Sequence, residues 1–294
     1  MFVVEYKKLF TVLALVLVVL SVTSLFISGL NFSIDFTGGS VLEVSYDNRP
    51  EISEVEEIIS NRTGGDYMIR PVGENGYSIR IPFVSDEERQ EISGELSLQG
   101  TGFHENKISS VGPVIGNELK NKAFVAIGIV VLVIVLFVAF SFRKVSEPVS
   151  AWWYGLIAII TLFHDVMIPV GIFSVLQLDI DILFVTALLA ILGYSVNDTI
   201  VVFDRIRENL KTNKELHVKE SFKETVGKSL KSTFARSINT SMTTLIVLSA
   251  LLIVTGTSIH NFIITLIIGV VAGTYSSIFL ASPLLVMVNS RKRK

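Results

Sequence analysis

Six long apolar runs constrain this chain more than any other feature of its sequence. Each run reaches or approaches the ~20 residues that an α-helix needs to cross a bilayer. Only 18% of the 294 residues are charged and the mean hydropathy is +0.60, whereas about 25% of residues are charged in an ordinary soluble domain. We therefore predict a multi-pass α-helical membrane protein with six transmembrane helices, at Leu9–Leu30, Ala123–Phe142, Val149–Leu176, Ile182–Phe203, Ile238–Val254 and Phe262–Val288.

The first run has one alternative interpretation, a secretory signal peptide, because Lys7 and Lys8 precede it. However, Leu9–Leu30 is longer than the ~7–15 apolar residues of such signals, and no clean small-x-small cleavage site follows it. We therefore interpret residues 1–30 as a cytoplasmic N-terminus and an uncleaved first helix that anchors the protein.

Lysine and arginine are unevenly distributed among the segments that connect the runs. An even number of spans places both termini on one side, and short cytoplasmic segments carry an excess of these residues. With a cytoplasmic N-terminus, most of the 25 lysines and arginines lie inside, including Arg143, Lys144 and the basic tail 291–294, while the short outer connections Gln177–Asp181 and Thr255–Asn261 contain none. We predict a protein of the cytoplasmic membrane with both termini cytoplasmic and the large loop extracytoplasmic.

The large loop, residues 31–121, is polar and carries the pattern of a small α+β domain. Alternating strand patterns and amphipathic helical patterns follow one another in the order β-α-β-β-α-β. The second helix has Ser85 as its N-cap and Glu88 three residues later, which is a capping box. This order predicts a ferredoxin-like domain, followed by the remaining five transmembrane helices within residues 122–290.

The segment 210–235, between the fourth and fifth runs, has apolar residues at every fourth position and lysines around them. This spacing favours a basic amphipathic helix on the inner membrane surface. A soluble helix packed against other loops is the alternative. The apolar positions are Val218, Phe222, Val226, Leu230 and Phe234.

The fourth run contains an aspartate, Asp198, that has apolar residues on both sides. An ionisable side chain inside a span costs at least ~2.5–3.5 kcal/mol, so such residues usually serve a function. Arg236 opens the fifth run, and both residues lie in the inner half of the bilayer. An aspartate beside a guanidinium is stabilised in its charged form, so motion of Arg236 would alternately release and bind a proton. We predict an ion-coupling site with Asp198, its neighbours Asn197 and Thr199, and Arg236.

The third run carries a second ionisable pair, His164 and Asp165. Adjacent positions on a helix point about 100° apart, so we do not expect the two side chains to act as a simple dyad. One of them would continue a proton path outward from Asp198. For this pair, as for Asp198 and Arg236, the alternative is a buried hydrogen-bonded pair that fixes helix register, but inside a bilayer function is favoured.

No signature of an enzyme is present in the sequence. There is no P-loop, no GxSxG and no HExxH motif. The chain has no cysteine, its four histidines lack ligand spacing, and a net charge of -2 does not suggest nucleic acid. We therefore predict a protein that is not an enzyme and that needs neither a cofactor nor a metal.

Four short segments, spread along the chain, form a recognisable set. SIDFTGGSVLEV (Ser33–Val44) follows the first span and SVGPVIGNEL (Ser110–Leu119) precedes the second. LGYSVNDTIVVFDRIREN (Leu192–Asn209) lies in the fourth, and ARSINTSMTTL (Ala235–Leu245) opens the fifth. In sequence and in order they resemble the motifs of the SecF family of protein-export membrane proteins. The residues that match the two motifs of the large loop, which we call the loop motif residues, are Asp35, Gly38, Gly39, Gly112, Pro113 and Gly116.

The resemblance implies a function that residue spacing does not show. Members of this family are similar to one half of a resistance-nodulation-division transporter and work with SecD, the other half. The pair would use the proton gradient, or in some species sodium, to draw preproteins outward after the Sec channel. The partners implied are SecD in a heterodimer, the channel, the preprotein and membrane lipids. Asp198 and Arg236 match the ion-coupling positions, although Ser237 after the arginine departs from the usual motif.

Two other functions stay open. One is a stand-alone exporter of small molecules or lipids from the same superfamily. Such exporters usually contain both six-span halves in one chain, whereas this chain has one half. The other is a scaffold that uses no ion gradient, in which Asp198 only bridges helices.

Overall fold

The computed structural model describes residues 2–141, 148–256 and 259–292. They form two compact units, which we call the membrane unit (residues 2–31 and 125–292) and the loop domain (Phe32–Phe124). Four of the basic residues that were predicted to be cytoplasmic, Arg143, Lys144, Arg293 and Lys294, lie outside the described residues.

Six helices among the described residues are long and apolar enough to cross a membrane, which confirms the six-span prediction. A short helix, Phe2–Glu5, precedes them. The sixth helix is interrupted by one π-helical turn. The spans are the first (Lys7–Ser28), second (Pro113–Ser141), third (Ala151–Leu176), fourth (Ile182–Glu215), fifth (Phe222–Val254) and sixth (His260–Ser276, the π-turn Ser277–Ala281 and Ser282–Lys292).

The third, fourth and sixth spans are the most deeply buried helices of the membrane unit. Tyr154 of the third span and Phe203 of the fourth pack edge to face, with ring centroids 5.1 Å apart. The first span instead leaves Leu13, Leu20 and Phe26 exposed. Exposed apolar side chains require an apolar surrounding, so the first span presents a surface suited to lipid, while polar groups on the third, fourth and sixth spans lie inside.

The loop domain contains a four-stranded sheet, two longer helices and the short helix Ile34–Thr37. The strands are β1 (Gly39–Ser45), β2 (Met68–Val72), β3 (Gly76–Ile81) and β4 (His104–Val111), and the helices are α1 (Ile52–Thr63) and α2 (Asp86–Ser97). The strands lie in the order β2-β3-β1-β4, and each neighbouring pair is antiparallel. This is the topology of a ferredoxin-like domain, as the sequence predicts.

Strand alternation explains how the loop domain builds its core. Alternate residues of β1 and β3 point to one face of the sheet, and the apolar faces of α1 and α2 cover it. The predicted capping box fixes the start of α2, because Glu88 N donates to Ser85 Oγ (3.3 Å) and Ser85 N donates to Glu88 Oε2 (2.8 Å). The core residues include Leu42, Val44, Val55, Ile59, Ile79, Ile81, Ile92 and Leu96.

The segment 210–235 differs from the predicted membrane-surface helix. The fourth span continues to Glu215 and the fifth begins at Phe222, so most of the segment belongs to these two long helices. Phe222, Val226 and Leu230 are buried in the core of the membrane unit. The fourfold spacing therefore marks a face packed within the membrane unit, whereas the alternative interpretation expected packing against other loops.

Candidate functional site: two buried aspartates

Asp198 lies half-buried in the fourth span and accepts hydrogen bonds from two serines. Ser237 of the fifth span donates to Asp198 Oδ1 at 2.6 Å, and Ser277 of the sixth span donates to Asp198 Oδ2. A carboxylate accepts hydrogen bonds at both oxygens, so this acid joins three helices. Among the described residues, no lysine or arginine forms an ion pair with it.

Arg236 does not contact Asp198, so the predicted direct pairing is absent from this structure. The next residue, Ser237, occupies that place, and one residue along a helix turns the side chain by about 100°. Arg236 is exposed on the outer side of the fifth span. It heads a polar stripe, which we define as the exposed residues Arg236, Asn239, Thr240 and Thr243.

The two predicted neighbours of Asp198 have different surroundings. Asn197 is exposed. Thr199 is buried, and its hydroxyl has no hydrogen-bond partner among the described residues. Neither contacts the carboxylate through a hydrogen bond in the part of the chain that the structure describes, so their roles in ion coupling stay predictions.

Asp165 of the third span is a second acid, and it is completely buried (0% exposed). Ser276 of the sixth span donates to Asp165 Oδ2 at 2.8 Å, and Ser195 of the fourth span donates to the same oxygen. His164 Nδ1 lies 2.9 Å from Asp165 Oδ1. Three helices therefore supply polar groups to this carboxylate.

His164 and Asp165 are in contact although adjacent positions on a helix point about 100° apart. Nδ1 is the ring nitrogen nearer to the backbone, so rotation of the imidazole brings it to the neighbouring carboxylate despite the angle between the two positions. The other ring nitrogen, His164 Nε2, is buried and has no hydrogen-bond partner among the described residues. The ring of Tyr275 stacks on the imidazole, with centroids 5.8 Å apart.

The serines that surround the two acids were largely missed by sequence reasoning. Ser195 lies three positions before Asp198 and so shares its helical face, but this spacing does not predict its contact with Asp165. Ser277 belongs to a row of small residues at fourfold spacing in the sixth span, a pattern that is typical of helix packing. One sequence signal would have identified these serines. It is a serine or threonine within or next to a row of small residues in one span, when another span contains an acid. Ser276 and Ser277 are adjacent, and the π-turn begins at Ser277.

The loop motif residues lie in the loop domain and pack against one another. A Cβ atom on Gly38 would lie 2.7 Å from Pro113 Cα, and one on Gly116 would lie 2.8 Å from Gly38 N. A Cβ on Gly39 would lie 2.8 Å from the carbonyl oxygen of Ile81. The two motifs therefore meet at a junction that only glycine permits.

Two further motif residues complete this description. The backbone N–H of Asp35 donates to Ser33 Oγ, and Ser33 thereby caps the short helix Ile34–Thr37. Gly112 has open space where a Cβ would stand, so close packing does not explain a glycine there.

Fold and site together define a class of protein. The membrane unit has six spans with acids buried between helices, and a ferredoxin-like domain is inserted after the first span. This is the organisation of one half of a resistance-nodulation-division-type transporter.

Two family descriptions match the chain. "Protein export membrane protein SecD/SecF, C-terminal" matches residues 94–291, and "SecD/SecF GG Motif" matches residues 23–48. Protein translocase subunit SecF of Thermobaculum terrenum is 39% identical, covering 97% of this chain and 92% of the relative. SecF of Pseudomonas aeruginosa is 33% identical, covering 94% and 87%. The chain belongs to the SecF family of protein translocase subunits, and it is a protein of the cytoplasmic membrane.

Two solved structures share the fold. SecDF of Thermus thermophilus, described as a translocon-associated membrane protein, matches with a TM-score of 0.84 at 32% identity over 99% of this chain. SecDF in a super-membrane-facing form matches with a TM-score of 0.70 at 33% identity over 98% of this chain. In both cases this chain spans 38% of the length of the solved chain, so each contains much that this chain lacks.

Proposed function

We propose that this chain, together with a SecD-type partner, uses an ion gradient across the cytoplasmic membrane to promote the export of preproteins. The ion, most simply a proton, binds at Asp198. The relative described as translocon-associated supports a place beside the Sec channel. The alternative, an exporter of small molecules or lipids, is tested by the same experiment.

The observation that carries this proposal is the environment of Asp198. Its two hydrogen bonds come from Ser237 and Ser277, which are neutral donors, so they solvate the carboxylate without balancing its charge. A charge in a span that lacks a cation is costly. Proton binding neutralises that charge, and a cation that approaches from elsewhere balances it. The two states are thus a protonated acid and an ionised acid beside a cation. Asp198 is therefore suited to alternate between the two states.

The polar stripe supports a partner subunit. Arg236, Asn239 and Thr240 are exposed along one side of a membrane-spanning helix, where lipid is a poor solvent for them. Asn197 of the fourth span is exposed as well. A second six-span protein with polar groups on its facing helices would cover these residues. Motion of that partner would then change the distance between Arg236 and Asp198.

The distribution of basic residues supports the orientation of the protein. Lysines and arginines concentrate in the segments that would be cytoplasmic when both termini lie inside, as the positive-inside rule requires. The loop domain is then extracytoplasmic, on the side where an emerging preprotein would be drawn out.

Co-reconstitution of this chain with its SecD partner and the Sec channel in proteoliposomes tests the proposal. The rate of preprotein release is measured with a proton gradient, with a sodium gradient and with none. Asp198→Asn keeps the size and the two hydrogen-bond positions but removes the titratable group. We expect it to abolish the gradient-dependent part of the release, and Arg236→Lys to reduce that part.

Asp204→Asn is the matched control. Asp204 lies on the same helix, is exposed and pairs with Arg207, so the same chemical change there leaves gradient dependence unchanged. If Asp198→Asn also leaves it unchanged, ion coupling at Asp198 is wrong. Gradient-driven efflux of a small solute or lipid, with no effect on preprotein, would favour the exporter instead.

A further inference from the structure

We propose that Asp165 is a second proton-binding carboxylate, and that Ser276 and Ser277 transmit the protonation of the two acids to each other through the sixth span. This inference rests on the proposed ion coupling at Asp198 and adds a site and a connection to it. Three observations carry it: the burial of Asp165, the adjacency of the two serines, and the choice of acceptors available to each serine.

The surroundings of Asp165 show that a proton can be held there. Its oxygens face Ser195 and Ser276 from two other helices and His164 on its own helix, and Tyr275 stacks on the imidazole. Among the described residues no lysine or arginine pairs with it. One added proton would turn the pair of His164 and Asp165 into a pair without net charge, which a membrane interior favours. Nε2 of His164 is buried with its hydrogen-bonding capacity unused.

Each of the two serine hydroxyls has one proton and two acceptors within reach. Ser276 Oγ lies 2.8 Å from Asp165 Oδ2 and 3.1 Å from the carbonyl oxygen of Gly273. Ser277 Oγ contacts Asp198 Oδ2 and lies 3.1 Å from the carbonyl oxygen of Thr274. A hydroxyl donates only one hydrogen bond at a time. The protonation state of the acid therefore selects the acceptor.

The step balances without any further reactant. When Asp165 is ionised, Ser276 donates to it. When Asp165 binds a proton, its new O–H donates to Ser276 Oγ, and the Ser276 hydroxyl turns to the carbonyl oxygen of Gly273. The same exchange takes place at Asp198, Ser277 and Thr274.

Both exchanges act on the same place in the sixth span. Ser276 and Ser277 are consecutive, and the π-turn Ser277–Ala281 begins there. A π-helical turn has an extra residue relative to an α-helix, and such turns often occur at functional sites. Hydroxyls that bond to backbone carbonyls three residues back also change helix bending. Protonation of Asp165 thus alters the segment of the sixth span that holds Ser277, the hydrogen-bond donor to Asp198. Protonation of Asp198 likewise alters the segment that holds Ser276, the donor to Asp165.

Infrared difference spectroscopy of the reconstituted complex between low and neutral pH tests the proposal, because protonated carboxyls have their own bands. Asp165→Asn and Asp198→Asn assign one band to each acid. We expect Ser276→Ala to change the band of Asp198 as well as that of Asp165, and Ser277→Ala to change both likewise. Ser276→Thr retains the hydroxyl, so its spectrum should match that of the original protein and not that of Ser276→Ala.

Ser282→Ala is the matched control, since Ser282 is a buried serine of the same helix whose hydroxyl has no partner among the described residues. It should leave both bands unchanged. In the export assay we expect Ser276→Ala, and not Ser282→Ala, to lower gradient-dependent release by at least about fivefold, the lower end of typical coupling between sites.

Two results would overturn the proposal. One is the absence of any band that Asp165→Asn removes, since Asp165 would then not take up a proton. The other is that Ser276→Ala changes only the band of Asp165 and Ser277→Ala changes only the band of Asp198. The spectra need neither a gradient nor a preprotein, so they remain decisive even if Asp198→Asn leaves export unchanged. If Ser276→Ala does not fold, Ser277→Ala read at Asp165 provides the same test.

Discussion

Gly38, in the loop motif, is the position where the loop domain should tolerate a methyl group least. Its φ of 73° and ψ of 168° lie in a region that is essentially restricted to glycine. In addition, a Cβ atom there would lie 2.7 Å from Pro113 Cα and 3.0 Å from Pro113 N. Both atoms belong to the backbone, so a side-chain rotation cannot relieve the clash.

The cost of Gly38→Ala follows from these two contributions. A residue held in such a region costs about 1–3 kcal/mol. Forcing a methyl group into a well-packed place costs about 1–3 kcal/mol more. The free energy of unfolding of the loop domain should therefore fall by about 2–6 kcal/mol, a large part of the ~5–15 kcal/mol of an ordinary domain.

Hydrogen exchange followed by mass spectrometry measures this loss in the full chain, through the slowest amides of β1 and β3. Gly64→Ala is the matched control. Gly64 also has a positive φ, +67°, but open space surrounds its Cβ position, so the left-handed backbone alone costs ~1–2 kcal/mol. The difference between the two losses reports the contact with Pro113 together with the difference in backbone cost between the two glycine conformations.

Equal losses from Gly38→Ala and Gly64→Ala would refute the reasoning, because the close approach to Pro113 would then contribute nothing. A sharper test adds Pro113→Ala to Gly38→Ala. The nearest atom is a Cα, which alanine keeps, so we expect no recovery of stability. Full recovery would show that the proline ring, and not the backbone, makes the obstruction.

Two further predictions concern the loop domain and the membrane unit. The hydrogen bond from Arg62 lowers the pKa of Glu95. The pair therefore stabilises the packing of α1 against α2 at a pH above the ordinary pKa of a glutamate. This stabilisation is lost as the pH falls through the lowered pKa of Glu95. Arg62→Gln should reduce hydrogen-exchange protection at neutral pH and flatten its decline on acidification; an unchanged decline would contradict this. A Cβ on Gly269 would clash with the buried side chain of Ile191, so Gly269→Val should lower the melting temperature of the purified chain, while Gly128→Val, with open space at its Cβ, should not.

The loop domain was well predicted because its information is local. All four strands and both longer helices form in the predicted order, and a short turn, residues 73–75, joins β2 to β3. Alternation sets which face of each strand is buried, and turn residues set the pairing. A water-exposed face makes that alternation visible in the sequence.

The rotation of the membrane helices was harder to predict for the opposite reason. Both the lipid and the protein interior are apolar, so the apolar pattern of a span does not say which side faces inward. One position of error rotates a helix by about 100°. That is the difference between Arg236 and Ser237 as the partner of Asp198, and no local signal in the fifth span separates them. The pairing of His164 with Asp165 likewise depended on a side-chain torsion.

Among the described residues, serines and no lysine or arginine contact the two acids, and this has a consequence for the proposed coupling. A fixed arginine beside Asp198 would hold the carboxylate ionised and prevent proton uptake, because a close opposite charge strongly favours the charged form. Hydroxyls serve both states, since they donate to a carboxylate and accept from a carboxylic acid. Arg236 is instead exposed, on the polar stripe. If the proposed function holds, separating the cation from the acid would let motion between this chain and its partner decide when Asp198 holds a proton.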